Sequence, residues 1–212
     1  MYKVHEIFYS IQGEGYWSGT PMIFVRFYGC NLACEWCDTP QESFTEMSKE
    51  AILAEIGGIN LAYGTRINRV CFTGGEPLLQ LDRNLFDAVY YNCYNIHIET
   101  NGTVVPDDWL HMMLNFGWVT VSPKSADESW KLRKGSELKV VYTGQPLKPF
   151  FDARHNFEQK TIFLQPCTIR KAISVAPGFT KEDNTDVVVQ IVKSNPTDTR
   201  LSIQKHKWTG MR

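Results

Sequence analysis

The stretch GCNLACEWCDT, residues 29–39, places three cysteines within eight positions. Three residues separate Cys30 from Cys34, two separate Cys34 from Cys37, and no fourth cysteine lies nearby to complete a tetrad. Three thiolates can bind three irons of a cubane iron–sulfur cluster and leave the fourth iron open to another ligand. A structural zinc site would need a fourth ligand, and His5 lies far upstream at no recognisable spacing. The stretch therefore predicts an iron–sulfur centre with one open coordination position.

The composition is that of an ordinary folded protein. The 212 residues suffice for a sizeable core, and 43% are hydrophobic and 21% charged. A net charge of -1 gives no sign of a nucleic acid or an anionic membrane as partner. The start, MYKVHEIFYS, lacks the apolar run of a signal peptide, and no run is long enough to span a membrane, so we expect a cytoplasmic protein. Thiols stay reduced there, so six unevenly spaced cysteines favour metal binding or catalysis over disulfides.

Short β-rich runs alternate in part with helical patterns, which favours a parallel sheet with right-handed crossovers. Helices are predicted to begin at Ser48, Asp82 and Pro106 and to span Thr180–Lys193. The predicted strands are Ile23–Tyr28, Val70–Thr73, Asn95–Glu99, Trp118–Val121, Leu138–Tyr142 and Ile162–Gln165.

The unusual short motifs nearly all follow a predicted strand. GCNLACEWCDT follows the first strand, and GGEP, TNG, SPK and QP follow four of the others. Sites in α/β folds gather at the carboxyl ends of the strands, so these loops are expected to face one mouth. Because the chain is shorter than the ~250 residues of a full eight-fold barrel, we expect an α/β fold with a partial, open TIM-like barrel of about six parallel strands.

The cysteine spacing resembles the signature of the radical S-adenosylmethionine (SAM) family. Trp36 matches the aromatic residue that this family commonly places beside the adenine, and Thr73–Pro77 resembles its GGEP motif. The resemblance implies a [4Fe–4S] cluster on the three cysteines, with SAM bound to the open iron as the source of a 5′-deoxyadenosyl radical. It also implies SAM contacts at Trp36, Cys37, Asp38, Gly75, Glu76, Ser122, Pro123, Lys124, Gln165, Pro166, Cys167 and Thr168.

Within that superfamily, matches from residue 6 to nearly the end resemble the 7-carboxy-7-deazaguanine synthase family. This implies conversion of 6-carboxy-5,6,7,8-tetrahydropterin to 7-carboxy-7-deazaguanine with loss of ammonia, on the route to queuosine and related 7-deazapurines. It implies a single domain, 1–212, whose C-terminal segment, about 200–212, covers the barrel mouth. It also implies a homodimer, a Mg²⁺ ion and a reductase such as a flavodoxin.

The residues themselves suit a pterin that carries a carboxylate. Glu14 and Gln12 in SIQGEG can bind the ring edge together with the backbone of Ile11 and Gly13, although the stretch can equally be an ordinary glycine-rich turn. Arg26 stands inside the apolar run IFVRFY and needs either a polar lumen and a partner, such as the substrate carboxylate, or an exposed edge strand.

Further site residues follow from the resemblance. Thr39 is expected to bind Mg²⁺, which prefers few protein ligands; Asp38 and Thr39 can alternatively form a helix N-cap pair. Thr73 is expected to contact the substrate, as are His206 and Arg212 in a C-terminal tail that can instead be frayed. Glu99 and Asn101 are candidates at the mouth, where the alternative is an Asn-Gly turn. The remaining cysteines, Cys71, Cys93 and Cys167, are expected to be buried thiols.

Two other functions remain open. A glycyl-radical-enzyme activase shares the cysteine loop and the small size, but needs a docking surface for a protein partner. An iron–sulfur electron carrier has no use for GGEP, SPK or an open iron.

Overall fold

The computed structural model describes residues 1–39, 42–174 and 180–210, with the backbone alone at 168–174, 180–183 and 208. Its strands are β1 (Tyr2–Ile11), β2 (Pro21–Phe27), β3 (Thr45–Met47), β4 (Arg69–Gly74), β5 (Asn95–Thr100), β6 (Gly117–Val121), β7 (Glu137–Tyr142), β8 (Ile162–Pro166), β9 (Thr168–Ser174), β10 (Thr180–Asp183) and β11 (Thr199–Leu201). Its α-helices are α1 (Lys49–Ala62), α2 (Arg83–Tyr91), α3 (Leu110–Phe116), α4 (Lys148–Ala153), α5 (Thr185–Ser194) and α6 (His206–Thr209). Short 3₁₀ turns span Pro77–Leu79 and Arg154–Asn156. None of the helices among these residues is long and apolar enough to cross a membrane.

Nine of the described strands form one sheet in the order β11-β8-β7-β6-β5-β4-β2-β1-β3. Neighbours from β2 to β11 run parallel, whereas β1 is antiparallel to both β2 and β3. In the described part of the chain the end strands β11 and β3 do not pair with each other, so the sheet does not close. The predicted open barrel of parallel strands is confirmed, and β1 is an antiparallel addition that was not predicted.

All six predicted strands are present, and two of the predicted helix starts are confirmed by their caps. The Ser48 hydroxyl accepts a hydrogen bond from the Ala51 N–H at 3.2 Å, and the Asp82 carboxylate accepts one from the Leu85 N–H at 2.9 Å. These side chains satisfy N–H groups that have no partner within the first turn of a helix.

The other two helix predictions are partly wrong. The residues after Pro106 form a turn before α3 begins. The predicted helix Thr180–Lys193 starts as strand β10, which pairs with β9, and becomes helical only after Asn184. The Asn184 side chain accepts from the Cys167 N–H at 2.8 Å and donates to the Tyr142 carbonyl at 2.7 Å. These two bonds anchor the point where strand gives way to helix.

Alternate residues of β2 face two different cores. Val25 and Phe27 belong to the large apolar core that includes buried residues of α1 and α2. Met22 and Phe24 belong to a smaller inner cluster with Phe8 and Cys71. Since side chains alternate along a strand, the residue after Val25 follows Met22 and Phe24 to the inside of the barrel.

The loop 12–20 lies beneath the barrel, at the amino ends of the strands. The Tyr16 ring packs against Trp118, with centroids 5.0 Å apart, and the Tyr16 N–H donates to the Glu137 carboxylate at 3.0 Å. Trp118 and Glu137 lie at the starts of β6 and β7. Gly15 has a φ of 66°, and any Cβ there would collide with the same carboxylate, so this turn requires glycine. We call residues 12–20 the floor loop.

Candidate active site

A cavity of about 870 Å³ lies inside the barrel, between the floor loop and the loops at the carboxyl ends of the strands. The motif-bearing loops share this cavity, as the sequence predicts. The predicted site residues that line it are Ile11, Gln12, Gly13, Glu14, Arg26, Cys30, Cys34, Trp36, Cys37, Asp38, Thr39, Thr73, Gly75, Ser122, Lys124, Gln165, Cys167 and His206.

Three predicted site residues do not line the cavity, and for two others the structure describes no side chain. Glu76, Pro123 and Pro166 are not among its lining residues. Thr168 belongs to β9, where only the backbone is described. Arg212 lies outside the described residues.

The Glu76 side chain supports neighbouring loops instead of facing the cavity. It is completely buried; one carboxylate oxygen accepts from the Thr100 hydroxyl at 2.7 Å and the Leu78 N–H at 3.0 Å, and the other from the Asn101 N–H at 2.7 Å. Burial raises the pKa of Glu76, although these donors act in the opposite direction. The Glu76 side chain therefore forms a clamp between the GGEP and TNG segments.

The three cysteines form a partly exposed loop at the cavity rim. All three are free thiols; Cys30 and Cys37 are exposed and Cys34 is partly buried. Burial raises the pKa of Cys34, the Lys124 amine opposes this, and the neighbouring Cys37 and Cys30 add to it. The thiols are thus close enough to influence one another's ionisation.

The arrangement fits a cluster better than a single ion. In the described ranges no three His, Cys, Asp or Glu side chains converge so as to hold one metal ion. A cubane does not need such convergence, because each cysteine binds a different iron. The three thiols on one exposed loop therefore suit a cluster, and the zinc alternative is disfavoured.

Neighbouring motifs hold the cysteine loop in place. The Asn101 amide donates to the Asn31 side chain at 3.1 Å and lies 3.9 Å from the Cys30 sulfur. The Glu76 N–H donates to the Gly29 carbonyl at 2.9 Å. GGEP and TNG thus support the loop that carries the thiols.

Gly74 is needed for this close approach. It has a φ of 124°, and a Cβ there would collide with the backbone of Phe27. The Gly75 N–H donates to the Phe27 carbonyl at 3.2 Å, which ties the GGEP segment to the end of β2. The paired glycines bring this backbone to the cavity wall beside the cysteine loop.

The SPK segment contributes an amine to the same wall. The Lys124 ammonium donates to the Ser122 hydroxyl at 3.0 Å, and the Ser122 N–H donates to the Thr100 carbonyl at 2.7 Å. Burial, and then the charge of Lys139, lower the pKa of Lys124. The wall therefore carries a partly buried cation near the thiols.

The bottom of the cavity is a network of buried charges around Lys139. Its ammonium contacts Glu14 Oε2 at 2.5 Å and Glu99 Oε1 at 3.3 Å. Thr73 donates its hydroxyl to Glu99 Oε2 at 3.0 Å, and the Gln12 amide donates to Glu99 Oε1 at 3.1 Å. We call Glu14, Glu99 and Lys139 the floor triad.

In the floor triad, ion pairing and hydrogen bonding together shift the pKa values of Glu14 and Lys139 further than burial does. Burial acts to raise the pKa of Glu14, but the charge and hydrogen bond of Lys139 lower it overall. Burial acts to lower the pKa of Lys139, but Glu14 and then Glu99 raise it overall. Glu14 and Lys139 therefore both stay charged at neutral pH.

Lys139 was not predicted, although the sequence contains a signal for it. It interrupts the apolar strand LKVVY as Arg26 interrupts IFVRFY, and both side chains face the cavity. A charge at an inward position of a buried strand needs a partner, and the carboxylates that serve Lys139 lie far away in sequence.

Arg26 faces the lumen, and the edge-strand alternative is wrong, because β2 lies between β1 and β4. Its Nε donates to Glu6 Oε1 at 2.9 Å, and its guanidinium lies 5.4 Å from the centre of the Phe8 ring. Glu6, on the strand that was not predicted, also lines the cavity.

The C-terminal tail runs from β11 across the floor loop to the cysteine loop. The Ser202 hydroxyl accepts from the Gly15 N–H at 3.0 Å, and the Lys205 N–H donates to the Gly13 carbonyl at 3.2 Å. The Gln204 amide donates to Glu14 Oε1 and Asp38 Oδ2, both at 2.9 Å. The tail therefore bridges the floor and the rim. The tail begins where β11 ends, at Leu201.

Asp38 joins the tail to the cysteine loop. Its carboxylate lies 3.8 Å from His206 Nε2 and 3.4 Å from the Lys207 ammonium. The nearby His206 side chain holds the pKa of Asp38 well below its usual range despite burial, with Lys207 adding to the effect. No described helix begins at Asp38 or Thr39, so the N-cap alternative finds no support in the described residues.

Of the remaining cysteines, Cys71 and Cys167 are buried as predicted, but Cys93 is exposed. Cys93 lies in the turn after α2 with a φ of 61°, and its position at a helix end explains the exposure.

Comparison with known proteins places this geometry in context. Residues 24–152 match the family model of the radical SAM superfamily. The chain is 38% identical to the 7-carboxy-7-deazaguanine synthase of Bacteroides thetaiotaomicron over the whole of both chains. It is 35% identical to the enzyme of that name from Burkholderia multivorans, with 99% of each chain covered. The crystal structure of QueE from Escherichia coli is similar with a TM-score of 0.69 at 26% identity, covering 96% of this chain and 93% of that one.

Proposed function

Because the chain belongs to the 7-carboxy-7-deazaguanine synthase family of the radical SAM superfamily, we propose that it converts 6-carboxy-5,6,7,8-tetrahydropterin to 7-carboxy-7-deazaguanine with loss of ammonia. The observation that carries this function is a cavity that has three thiols at its rim and the floor triad at its base. Such a cavity can hold a small polar substrate beneath a radical source.

The enzyme uses a [4Fe–4S] cluster and SAM, as a member of its superfamily. Cys30, Cys34 and Cys37 would hold three irons, and SAM on the fourth supplies a 5′-deoxyadenosyl radical when bound. Gly75, Ser122 and Lys124 are proposed to position SAM against the wall, a role supported by their place in the lining. The remaining proposed SAM contacts are Trp36, Cys37, Asp38, Glu76, Pro123, Gln165, Pro166, Cys167 and Thr168.

The substrate is proposed to lie on the floor. Glu14 and Gln12 suit the exocyclic amine edge of a pterin ring, because both line the cavity and the Glu14 carboxylate is held ionised by Lys139. Arg26 suits the substrate carboxylate, which must compete with Glu6 for the guanidinium. The backbone of Ile11 and Gly13 and the side chains of Thr73 and His206 complete the contacts proposed from the cavity lining. Arg212 is kept as a proposal from the resemblance alone.

Mg²⁺ is proposed to bind through Thr39. Support comes from the position of Thr39 on the cavity wall beside Asp38, where a hard cation could share ligands with the substrate and water. The ion would neutralise substrate oxygens near the rim.

Two partners are also proposed. A reductase such as a flavodoxin would have access to the cluster, because Cys30 and Cys37 lie on the exposed side of their loop. A homodimer is supported by Leu201 and Ile203, which are 42% and 40% exposed beside the edge strand β11. The six free cysteines support a cytoplasmic, reducing environment.

The glycyl-radical-enzyme activase is the less favoured function. A protein substrate needs an open docking surface above the cluster, whereas here the tail crosses the barrel and bonds to Asp38. The electron carrier is disfavoured by membership of a family of synthases.

Anaerobic reconstitution followed by two assays tests the proposal. The enzyme should cleave SAM and, with carboxytetrahydropterin present, release 7-carboxy-7-deazaguanine and ammonia in equal amounts. SAM cleavage without any pterin-derived product, together with radical formation on an added glycyl-radical enzyme, would support the activase instead.

A further inference from the structure

Lys139 has a hydrogen-bond donor for which the described residues provide no partner. Its ammonium carries three N–H donors, and the described acceptors are Glu14 Oε2 at 2.5 Å and Glu99 Oε1 at 3.3 Å. The side chain is only 6% exposed, yet it lines the cavity. A buried charged donor in this position is expected to bond to something that enters the cavity.

An unused acceptor lies next to that donor. Glu99 Oε2 accepts one hydrogen bond among the described residues, from the Thr73 hydroxyl at 3.0 Å, and a carboxylate oxygen can accept two. The other oxygen of the same carboxylate bonds to Lys139 itself. The floor therefore presents a donor and an acceptor side by side, held in place by neighbouring side chains.

We propose that Lys139 is a specificity-determining residue that donates a hydrogen bond to a ring carbonyl of the substrate, while Glu99 accepts from the adjacent ring N–H. A cyclic amide, with C=O next to N–H, is the chemical group that this pair matches. The inference rests on the proposed function, because the pyrimidinone ring of a pterin contains such an amide.

A lysine that only balanced the two carboxylates would not need to line the cavity. Glu14 and Glu99 repel each other, and a cation between them relieves that repulsion. A lysine whose third donor bonded to another protein group would balance the two carboxylates equally well. In Lys139 the third N–H is left for a ligand. The side chain can therefore favour a ligand that places an acceptor there over one that does not.

The test is a two-by-two binding cycle on the cluster-loaded enzyme, kept anaerobic. The two ligands are 6-carboxypterin, an oxidised and unreactive form of the substrate, and the analogue in which sulfur replaces the ring carbonyl oxygen. The analogue keeps the ring N–H but presents a much weaker acceptor. The two proteins are the wild type and Lys139→Gln.

The wild type should bind the oxygen ligand roughly 10- to 100-fold more tightly than the sulfur ligand, because a buried charged donor loses its acceptor. In Lys139→Gln this ratio should fall toward one, because the neutral amide is a weaker donor than the ammonium and the cycle isolates the contact between the side chain and the exchanged atom. Lys148→Gln is the control: it makes the same change at an exposed lysine that does not line the cavity and should leave the ratio at the wild-type value.

Equal losses for both ligands in Lys139→Gln would show that Lys139 only supports the fold and would overturn the inference. If that variant does not fold, the double variant Lys139→Met with Glu14→Gln removes one charge of each sign and should again give a ratio close to one. If the wild type binds neither ligand, the proposed function itself fails, and this inference with it.

Discussion

The substitution Glu76→Gln distinguishes two roles for this side chain, a clamp between two loops and a direct contact with SAM. In the structure the carboxylate accepts three hydrogen bonds, from Thr100, Leu78 and Asn101, and is completely buried. The amide of Gln can keep the two bonds at one oxygen, but its NH₂ group then faces the Asn101 N–H. One charge-assisted bond is lost and one buried donor is left unpaired, which should cost about 3 kcal/mol of unfolding free energy.

Thermal unfolding of the anaerobic, cluster-loaded protein without SAM is the direct assay. For a domain of this size about 3 kcal/mol lowers Tm by roughly 6–12 °C. SAM affinity should fall as a consequence, because the TNG segment no longer holds the cysteine loop. Glu128→Gln, an exposed change of the same type, should leave Tm unchanged. A normal Tm combined with lost SAM affinity would refute the clamp and return Glu76 to direct contact with SAM.

Four further predictions concern the cluster, the ion, the substrate and the tail. Cys34→Ala should abolish the visible iron–sulfur absorbance and SAM cleavage; full iron content and activity would contradict the ligand assignment. Thr39→Ala should lower kcat and the dependence on Mg²⁺ while leaving the cluster and SAM affinity nearly intact, and an unchanged metal titration would remove Thr39 from the site. Arg26→Lys keeps the charge but loses the planar fork, so substrate binding should weaken by about 1–3 kcal/mol, and a normal KM would argue against the contact. Deleting Trp208–Arg212 should spare the cluster and SAM cleavage but sharply reduce product per SAM consumed; a normal yield would show that the tail does not shield the reaction.

The sequence predicts the parallel sheet and the rim of the site because their signals are local. The six strands are apolar runs bounded by motif residues, and the cysteine spacing lies within a single loop. The inward direction of Arg26 also follows from a local rule, the alternation of side chains along β2. Such features depend on residues that are close together in sequence, so they can be predicted from one sequence alone.

The floor could not be predicted in the same way, because its contacts join distant segments. Lys139 meets Glu14 across 125 positions, and Gln204 meets Glu14 across 190. The strand β1 was missed because its mixed polar and apolar pattern reflects one face on the core and another on the cavity, where Glu6 pairs with Arg26. Likewise, β10 looks helical in sequence but is fixed as a strand by pairing with β9.

The TNG segment supports the cysteine loop at the rim of the cavity through the turn that it forms. Gly102 has a φ of 77° and so makes the turn that the Asn-Gly pair suggested. The same turn directs Asn101 toward Asn31 and the Cys30 sulfur, and Thr103 accepts from the Asn31 amide at 2.8 Å. The Asn-Gly turn and the support of the cysteine loop therefore go together, because the turn brings the side chains of Asn101 and Thr103 to that loop. Variants of Asn31 or Asn101, which support the cysteine loop, should consequently lose the cluster and SAM cleavage together, whereas variants of the floor triad should keep SAM cleavage and lose product.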